Sequence, residues 1–271
     1  MVGLAESAYD LRFRLLGVPV RIHPFFWLVS AIMGFQAYEN DIPAVLLWMT
    51  CVFVSILVHE FGHALMSKAF YCSPSVVLWG MGGLCYSQGE QQTPRQRLAV
   101  IFAGPGAGFL LCGLVVLLFW ILLGISPVDQ AQFVANEFGL SQTRGPFGPK
   151  FIAAVDPLSS QGKFVFNAYW FLVQINLFWG LVNLLPVWPL DGGQATQILL
   201  TFYDRSRGQR WGHVVSLLVA GAVALISYAL TQRLFLAVFF GYFALVNYQV
   251  LQTLHQAHSM GLYQDDEWWR K

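Results

Sequence analysis

The chain has 271 residues, of which 56% are hydrophobic and only 11% are charged. Because an average soluble domain has about a quarter of its residues charged, this composition indicates a protein that crosses a membrane several times. The formal net charge is +1, and the chain has no run of basic residues that could follow a phosphate backbone. A nucleic-acid partner is therefore excluded, and the lipid bilayer is the expected surrounding.

Two stretches of sequence predict a small β-sheet beside the helices. Leu11–Ile22 alternates apolar and polar residues around a central glycine and proline, which predicts two short strands. Ser75–Gln88 has two β-rich pieces around three glycines, which predicts a hairpin. The edge of a sheet at membrane depth must be paired or shielded, so we expect the hairpin to pair with the N-terminal strands.

Six apolar segments predict membrane-spanning helices, although the first is short for a bilayer. They are Pro24–Tyr38, Pro43–Met66, Leu98–Ser126, Phe164–Leu185, Trp211–Leu230 and Leu234–Leu251. The link between the third and fourth segments is polar and rich in glycine and proline, so we expect it outside the membrane. The predicted fold is a multi-pass α-helical membrane protein with about six transmembrane helices and a small membrane-associated sheet.

The distribution of positive charge predicts the topology of these spans. With a cytoplasmic N-terminus, eleven of the 15 lysines and arginines lie in cytoplasmic segments. That bias follows the positive-inside rule and favours both termini in the cytoplasm. We expect the cytoplasmic membrane of a prokaryote. The N-terminus has no cleavable signal pattern, so the chain itself is the expected membrane anchor.

The second predicted span contains the sequence VSILVHEFGHAL at Val54–Leu65. Residues four apart lie on one face of a helix, so His59 and His63 can hold one metal ion. Glu60 follows the first of them and can act as a base toward a metal-activated water molecule. The alternative is a polar patch that hydrogen-bonds between helices. The cost of three ionisable groups in hydrocarbon favours the metal site.

A third ligand is expected from the end of the fourth span, where two prolines and two glycines predict a break in the helix. A catalytic zinc site has three protein ligands and an open fourth position. Asp191 is the expected third ligand, since the predicted topology places it at the depth of the histidines. Its alternative role is that of a turn or helix-capping aspartate. Glu90 and Asp204 lie in polar segments and are poorer candidates.

These motifs resemble those of the site-2 protease family of intramembrane zinc metalloproteases. HEFGH at His59–His63 is similar to the family's HExxH motif, and NLLPVWPLDG at Asn183–Gly192 is similar to its NxxPxxPxxDG motif. AGPGAG at Ala103–Gly108 is similar to the family's AGP segment, and the glycine-containing hairpin fits the family's membrane-associated sheet. The resemblance extends from about residue 18 to residue 193.

This resemblance implies a function and a set of site residues. His59, His63 and Asp191 would bind Zn²⁺, and Glu60 would be the catalytic base. The implied substrates are transmembrane proteins or peptides, including remnants left by another protease. Asn183 would help to stabilise the oxyanion, or would only satisfy backbone groups freed by a proline.

Two other functions remain open at this point. A membrane metal transporter or metal sensor would also bind a divalent ion. Transporters, however, place ionisable residues along several spans as a relay, whereas here they cluster at one depth. A catalytically silent relative would bind membrane helices without cutting them, although the complete set of motif residues argues against it.

The remaining expectations concern domain organisation, cysteines and the other histidines. We expect one intramembrane metalloprotease domain over residues 1–271, with a catalytic core of about 18–203 and additional helices and a tail over 204–271. The chain shows no PDZ or CBS pattern. The four cysteines form no CxxC pair and are expected to be free, with a Cys72–Cys85 bridge left open. His23 would be a fourth ligand or an interfacial hydrogen-bonding group. His213, His255 and His258 have no metal-ligand spacing.

Overall fold

The structure is a computed structural model that describes residues 7–38, 41–80, 82–89, 93–140, 146–154, 159–205, 207–231 and 234–259. The expectations that involve Glu90 and the tail from residue 260 onward lie outside these residues. In chain order the elements are β1 (Leu11–Leu15), β2 (Val18–Ile22), α1 (Pro24–Tyr38), α2 (Ile42–Ala69), β3 (Ser73–Trp79), β4 (Gly82–Gln88), α3 (Pro94–Leu123), α4 (Pro127–Glu137), α5 (Phe147–Ala154), α6 (Ser160–Asn183), α7 (Asp191–Tyr203), α8 (Gly208–Thr231) and α9 (Leu234–Ser259).

Five of the described helices are long and apolar enough to cross a membrane: α2, α3, α6, α8 and α9. The first predicted span is also a helix, α1, but it has only 15 residues. At about 1.5 Å per residue, a helix of that length is shorter than the hydrocarbon core of a bilayer. The predicted fold class is confirmed, and the chain is an integral membrane protein.

The strands form one four-stranded sheet in the order β1-β2-β3-β4. β1 pairs antiparallel with β2, β2 pairs parallel with β3, and β3 pairs antiparallel with β4. The N-terminal strands and the glycine-containing hairpin therefore pair as the sequence predicts. β3 lies inside the sheet, whereas β1 and β4 are its two edge strands among the described residues.

The chain divides into two compact units. The first comprises residues 1–91 and 103–180, and the second comprises residues 92–102 and 181–271. In the first unit, alternate residues of β2 are buried, and Val76 and Leu78 of β3 join them in a core with α1, α2 and α6. In the second unit, the core joins the segment after α6 to α8 and α9 through Val187, Leu190, Ala220, Phe240 and Phe243.

The link between α3 and α6 contains two helices, α4 and α5, which the glycine and proline content obscured. The side chain of Ser126 caps the N-terminus of α4. Lys150 of α5 donates a hydrogen bond to Asp129 of α4, and the hydrogen bonds from Lys150 and Ser126 hold the pKa of Asp129 below its usual value. Stacking of Phe133 on Phe147 also joins the two helices. All four cysteines are free, so no bridge joins Cys72 to Cys85.

Candidate active site

The HExxH motif lies in the C-terminal half of α2. His59, Glu60 and His63 are 3%, 4% and 7% exposed, so all three ionisable side chains are buried. One ligand atom from each residue can be chosen so that the three atoms lie within 4.8 Å of one another. The Nε2 atoms of the two histidines are 3.2 Å apart. The predicted cluster on one helix face is therefore present.

The spacing of the two imidazoles fits a tetrahedral metal ion. With zinc–nitrogen bonds of about 2.0–2.1 Å, tetrahedral geometry separates two nitrogen ligands by about 3.3 Å. The observed distance of 3.2 Å between the Nε2 atoms of His59 and His63 agrees with that value. The same distance also fits an N–H···N hydrogen bond between the two rings. A measurement of bound zinc therefore distinguishes a metal site from a hydrogen-bonded pair of histidines.

The start of the AGPGAG segment packs directly on α2, next to His63. A Cβ atom on Gly104 of α3 would overlap the imidazole of His63, including its Nε2 atom. A Cβ atom on Gly62 of α2 would overlap the backbone carbonyl of Ala103. The small residues therefore allow the close helix approach that the sequence predicts, and Gly104 in particular leaves the space that the His63 ring occupies.

The close approach of Gly104 to the His63 ring can be tested by substitution. We expect Gly104→Ala to lower zinc occupancy of the purified protein and to abolish peptide cleavage, because the added methyl group displaces the His63 ring. Gly106→Ala is the matched control, since a Cβ atom on Gly106 of the same helix meets no atom within 4 Å. Zinc content by elemental analysis distinguishes the two. Equal zinc content in both variants would show that Gly104 does not shape the site.

The edge strand β4 runs beside the proposed catalytic base. A Cβ atom on Gly83 would overlap the side chain of Glu60, including its carboxylate. Gly82, the first residue of the strand, has a φ of +123°, which favours glycine, and a Cβ atom there would lie 2.8 Å from the Trp179 ring. The sequence showed these glycines only as turn residues. Their close approach to Glu60 depends on how the hairpin packs on α2.

Asp191 lies where α7 begins. α6 ends at Asn183, and the break that follows contains Pro186 and Pro189, as the sequence predicts. The two glycines after Asp191, by contrast, lie in the first turn of α7 instead of breaking a helix. A Cβ atom on Gly192 would overlap the backbone of Leu184, so the glycines allow α7 to pack closely on the preceding loop.

The other candidate residues have varied surroundings. Asp191 is 7% exposed and Asn183 is 6% exposed, so both polar side chains are buried. His23 accepts a hydrogen bond at Nδ1 from the Phe25 backbone at the start of α1, which makes it a helix-capping group. Asp204 is at the opposite end of α7 from Asp191, where its Oδ1 atom accepts a hydrogen bond from the backbone N–H of Arg207.

The sequence pattern of Peptidase family M50 matches residues 47–228 of this chain. The chain belongs to this family. The match covers both the helix with the two histidines and the segment with Asp191, so it includes every residue expected at the active site. The sequence-based assignment to the site-2 proteases is confirmed.

Several curated proteins of this kind are similar to the chain. The putative zinc metalloprotease Rip3 of Mycobacterium tuberculosis is 28% identical over 203 residues, which are 69% of this chain and 42% of Rip3. Stage IV sporulation protein FB of Bacillus subtilis is 24% identical over 184 residues, which are 67% of this chain and 48% of that protein. The chain thus spans about half the length of the curated relatives it matches.

A solved structure supports the fold. The site-2 protease from Methanocaldococcus jannaschii superposes with a TM-score of 0.52 at 18% sequence identity, covering 90% of this chain and 95% of that one. At this level of identity the likeness concerns the fold.

Proposed function

We propose that this chain is an intramembrane zinc metalloprotease that hydrolyses peptide bonds in or near transmembrane segments of membrane proteins. The observation that supports this most directly is the paired Nε2 atoms of His59 and His63, with the carboxylate of Glu60 beside them. All three groups are buried in a helix that is otherwise apolar, where ionisable side chains are costly without a function. Membership of family M50 and the zinc metalloproteases among the relatives support the same activity.

The proposed zinc ligands are His59, His63 and Asp191. A carboxylate completes the set of three protein ligands of a catalytic site and leaves a fourth position open for water or substrate. Asp191 suits this role because it is buried at the first turn of α7 and is the aspartate of the NxxPxxPxxDG pattern. It is also the only acidic residue within that pattern.

The protein groups have distinct tasks in the proposed reaction. His59, His63 and Asp191 would hold the zinc ion, which would supply a Lewis acid for a water molecule and the peptide carbonyl. Glu60 accepts a proton from that water at its carboxylate and later delivers it to the leaving amine. The side-chain amide of Asn183 donates a hydrogen bond to the oxygen on which negative charge develops. Burial of these groups strengthens each electrostatic interaction, because the local dielectric constant is low.

The structure also suggests how a substrate is presented to Glu60. A transmembrane helix hides its carbonyl groups in internal hydrogen bonds, so the substrate must become extended before attack. An extended segment can add to the free edge of a sheet. We propose that β4 is this docking edge, because Gly83 of β4 lies against the side chain of Glu60.

A proline in β4 tests this docking role. We expect Leu84→Pro to impair cleavage while zinc content stays at the wild-type level, because proline disturbs the strand edge without changing a zinc ligand. Phe13→Pro, in the opposite edge strand β1, is the matched control and is expected to retain cleavage. A proline at Val77, which lies in the inner strand β3 and is 6% exposed, would disrupt the sheet itself and is less informative. Wild-type cleavage by the Leu84 variant would refute docking at β4.

Removal and return of the metal tests the activity itself. We expect a chelator to abolish cleavage of a transmembrane substrate in detergent, and a stoichiometric amount of Zn²⁺ to restore it. The wild-type protein is expected to hold about one zinc ion. Flux of Zn²⁺ into liposomes that contain the protein, without peptide cleavage, would instead establish a metal transporter. Zinc binding with neither flux nor cleavage would point to a metal sensor or to a catalytically silent relative.

We also propose the surroundings in which this activity operates. The positive-inside bias supports a prokaryotic cytoplasmic membrane with both chain termini in the cytoplasm. The catalytic core of about 18–203 and the additional helices of 204–271 would act as a single intramembrane metalloprotease domain. The partners are transmembrane protein or peptide substrates within the bilayer.

A further inference from the structure

The loop that precedes Asp191 is held at one residue by two different helices. The backbone N–H of Trp188 donates a hydrogen bond of 2.9 Å to the Ser216 hydroxyl of α8. The backbone carbonyl of Trp188 accepts a hydrogen bond of 2.7 Å from the Asn247 side chain of α9. Ser216 and Asn247 are both fully buried, at 0% exposure. Both backbone groups of Trp188 are thus satisfied by side chains in the apolar interior of this unit.

These contacts belong to a longer hydrogen-bond network, in which each bond can be assigned one donor and one acceptor. The Asn247 amide nitrogen donates to the carbonyls of Trp188 and Phe243, so its Oδ1 atom is an acceptor. His213 Nδ1 lies 2.8 Å from that oxygen and is therefore the donor. His213 Nε2 then accepts a hydrogen bond from the Gln197 amide at 3.1 Å. The network therefore links the loop to α9, to α8 and back to α7, the helix that Asp191 begins.

Movement of Trp188 would be transmitted to Asp191 over a short distance. The backbone N–H of Leu190 donates to the carbonyl of Val187, which tightens the turn that leads into α7. A Cβ atom on Gly193 would overlap the backbone at Trp188, so the first turn of α7 rests directly on this residue. A shift of Trp188 consequently displaces the turn that contains Asp191.

Buried polar groups in apolar helices are costly unless they are hydrogen-bonded. In this network, the side chains of Ser216 and Asn247 both form hydrogen bonds with the backbone of Trp188. The hydroxyls of Ser216 and of Ser30 in α1 each donate to a carbonyl one turn earlier in their own helix, but the Ser216 hydroxyl in addition accepts the hydrogen bond from the Trp188 backbone. We propose that Ser216, Asn247 and His213 are positioning residues, which hold Asp191 in the orientation of a zinc ligand. The additional helices α8 and α9 would thereby raise zinc affinity without touching the ion. This inference rests on the proposed role of Asp191.

The test measures zinc affinity of the full chain in detergent by competition with a chromophoric chelator. We expect Ser216→Ala and Asn247→Leu to weaken zinc binding by about 10-fold or more, the usual effect of losing a group that orients a metal ligand. Ser30→Ala, an equivalent change at a buried serine whose hydroxyl donates to the Phe26 carbonyl of its own helix, is expected to bind zinc as the wild type does. The visible absorption of the Co²⁺ form should change in the two network variants and not in Ser30→Ala.

Two further measurements separate positioning from general stability. In the metal-free protein, Ser216→Ala should speed amide hydrogen exchange in residues 184–193 more than elsewhere in the chain, whereas a general loss of stability would speed exchange throughout. In an Asp191→Asn background, Ser216→Ala should cause no additional loss of zinc affinity, because the ligand that it positions is already absent. If Asn247→Leu does not fold, Ser216→Ala alone decides the question.

The outcomes distinguish this inference from the proposed function. If Asp191→Asn binds zinc as tightly as the wild type, the ligand assignment is wrong and the positioning role falls with it. If Asp191→Asn weakens zinc binding but Ser216→Ala does not, the ligand assignment stands and the positioning role alone is overturned. An equal effect of Ser216→Ala in both backgrounds also overturns it, because the serine then acts independently of Asp191.

Discussion

Glu60→Gln is expected to lower peptide cleavage by at least about 100-fold while zinc content stays near one ion per chain. Glutamine has nearly the same shape as glutamate, so the packing against Gly83 is retained and His59 and His63 are unchanged. Glutamine has no carboxylate that can accept a proton from water, and loss of a general base usually costs about 10²- to 10⁴-fold in rate. The measurements are zinc content and initial rate of cleavage of a transmembrane substrate in detergent.

The control for this prediction is Glu137→Gln, which removes an exposed carboxylate at the end of α4. This variant is expected to keep both zinc and activity. Cleavage at the wild-type rate by the Glu60 variant would remove Glu60 from the mechanism. Loss of zinc together with activity would indicate that Glu60 holds the metal site together instead of acting as a base.

Asp191→Asn is expected to weaken zinc binding by more than about 100-fold and to abolish cleavage at ordinary zinc concentrations. The amide is similar in size to the carboxylate but carries no negative charge, so it is a poor partner for a divalent cation. Loss of a direct ligand should exceed the 10- to 100-fold effect of losing a group that only orients a ligand. Chelator competition measures the affinity, and cleavage at saturating zinc shows whether excess metal rescues the rate.

Asp204→Asn is the matched control, because Asp204 is the aspartate at the other end of α7. Asparagine there can still accept the hydrogen bond from the Arg207 backbone, so helix α7 should keep its end. Wild-type zinc affinity in this control, with a large loss in Asp191→Asn, would identify Asp191 as the ligand. The reverse result would transfer the assignment to Asp204, the poorer of the two candidates by sequence.

Local sequence patterns predicted the parts of the fold that depend on short-range physics. The alternation in Leu11–Ile22 and the glycines in Ser75–Gln88 correctly indicated strands, because side chains of a strand alternate between two faces. The apolar spans were recognisable because a bilayer demands long runs of hydrophobic residues. Helices α4 and α5 were missed because both are short: α4 begins with a proline and is mostly polar, and α5 contains a glycine and a proline.

Motif spacing predicted the chemistry of the site more fully than it predicted the supporting structure. A separation of four residues is enough to place the imidazoles of His59 and His63 on one helix face, and the structure shows that they converge. Gly104 and Gly83 were recognised only as small residues. A side chain at position 104 would overlap His63, and one at position 83 would overlap Glu60. These contacts depend on how closely α3 and β4 approach α2, which the sequence does not show.

The sequence by itself determined the membrane environment, the strands and the pairing of His59 with His63, because each depends on composition or on short fixed spacings. Asp191 and the family followed from the predicted topology and from longer motifs. The tertiary structure alone decided which glycines make room for the site and which buried groups hold Trp188. In the sequence, His213 is only a histidine without metal-ligand spacing. In the structure, it forms hydrogen bonds with Asn247 and Gln197, which are distant from it in sequence. Such contacts arise when helices pack, and no local pattern in the chain specifies them.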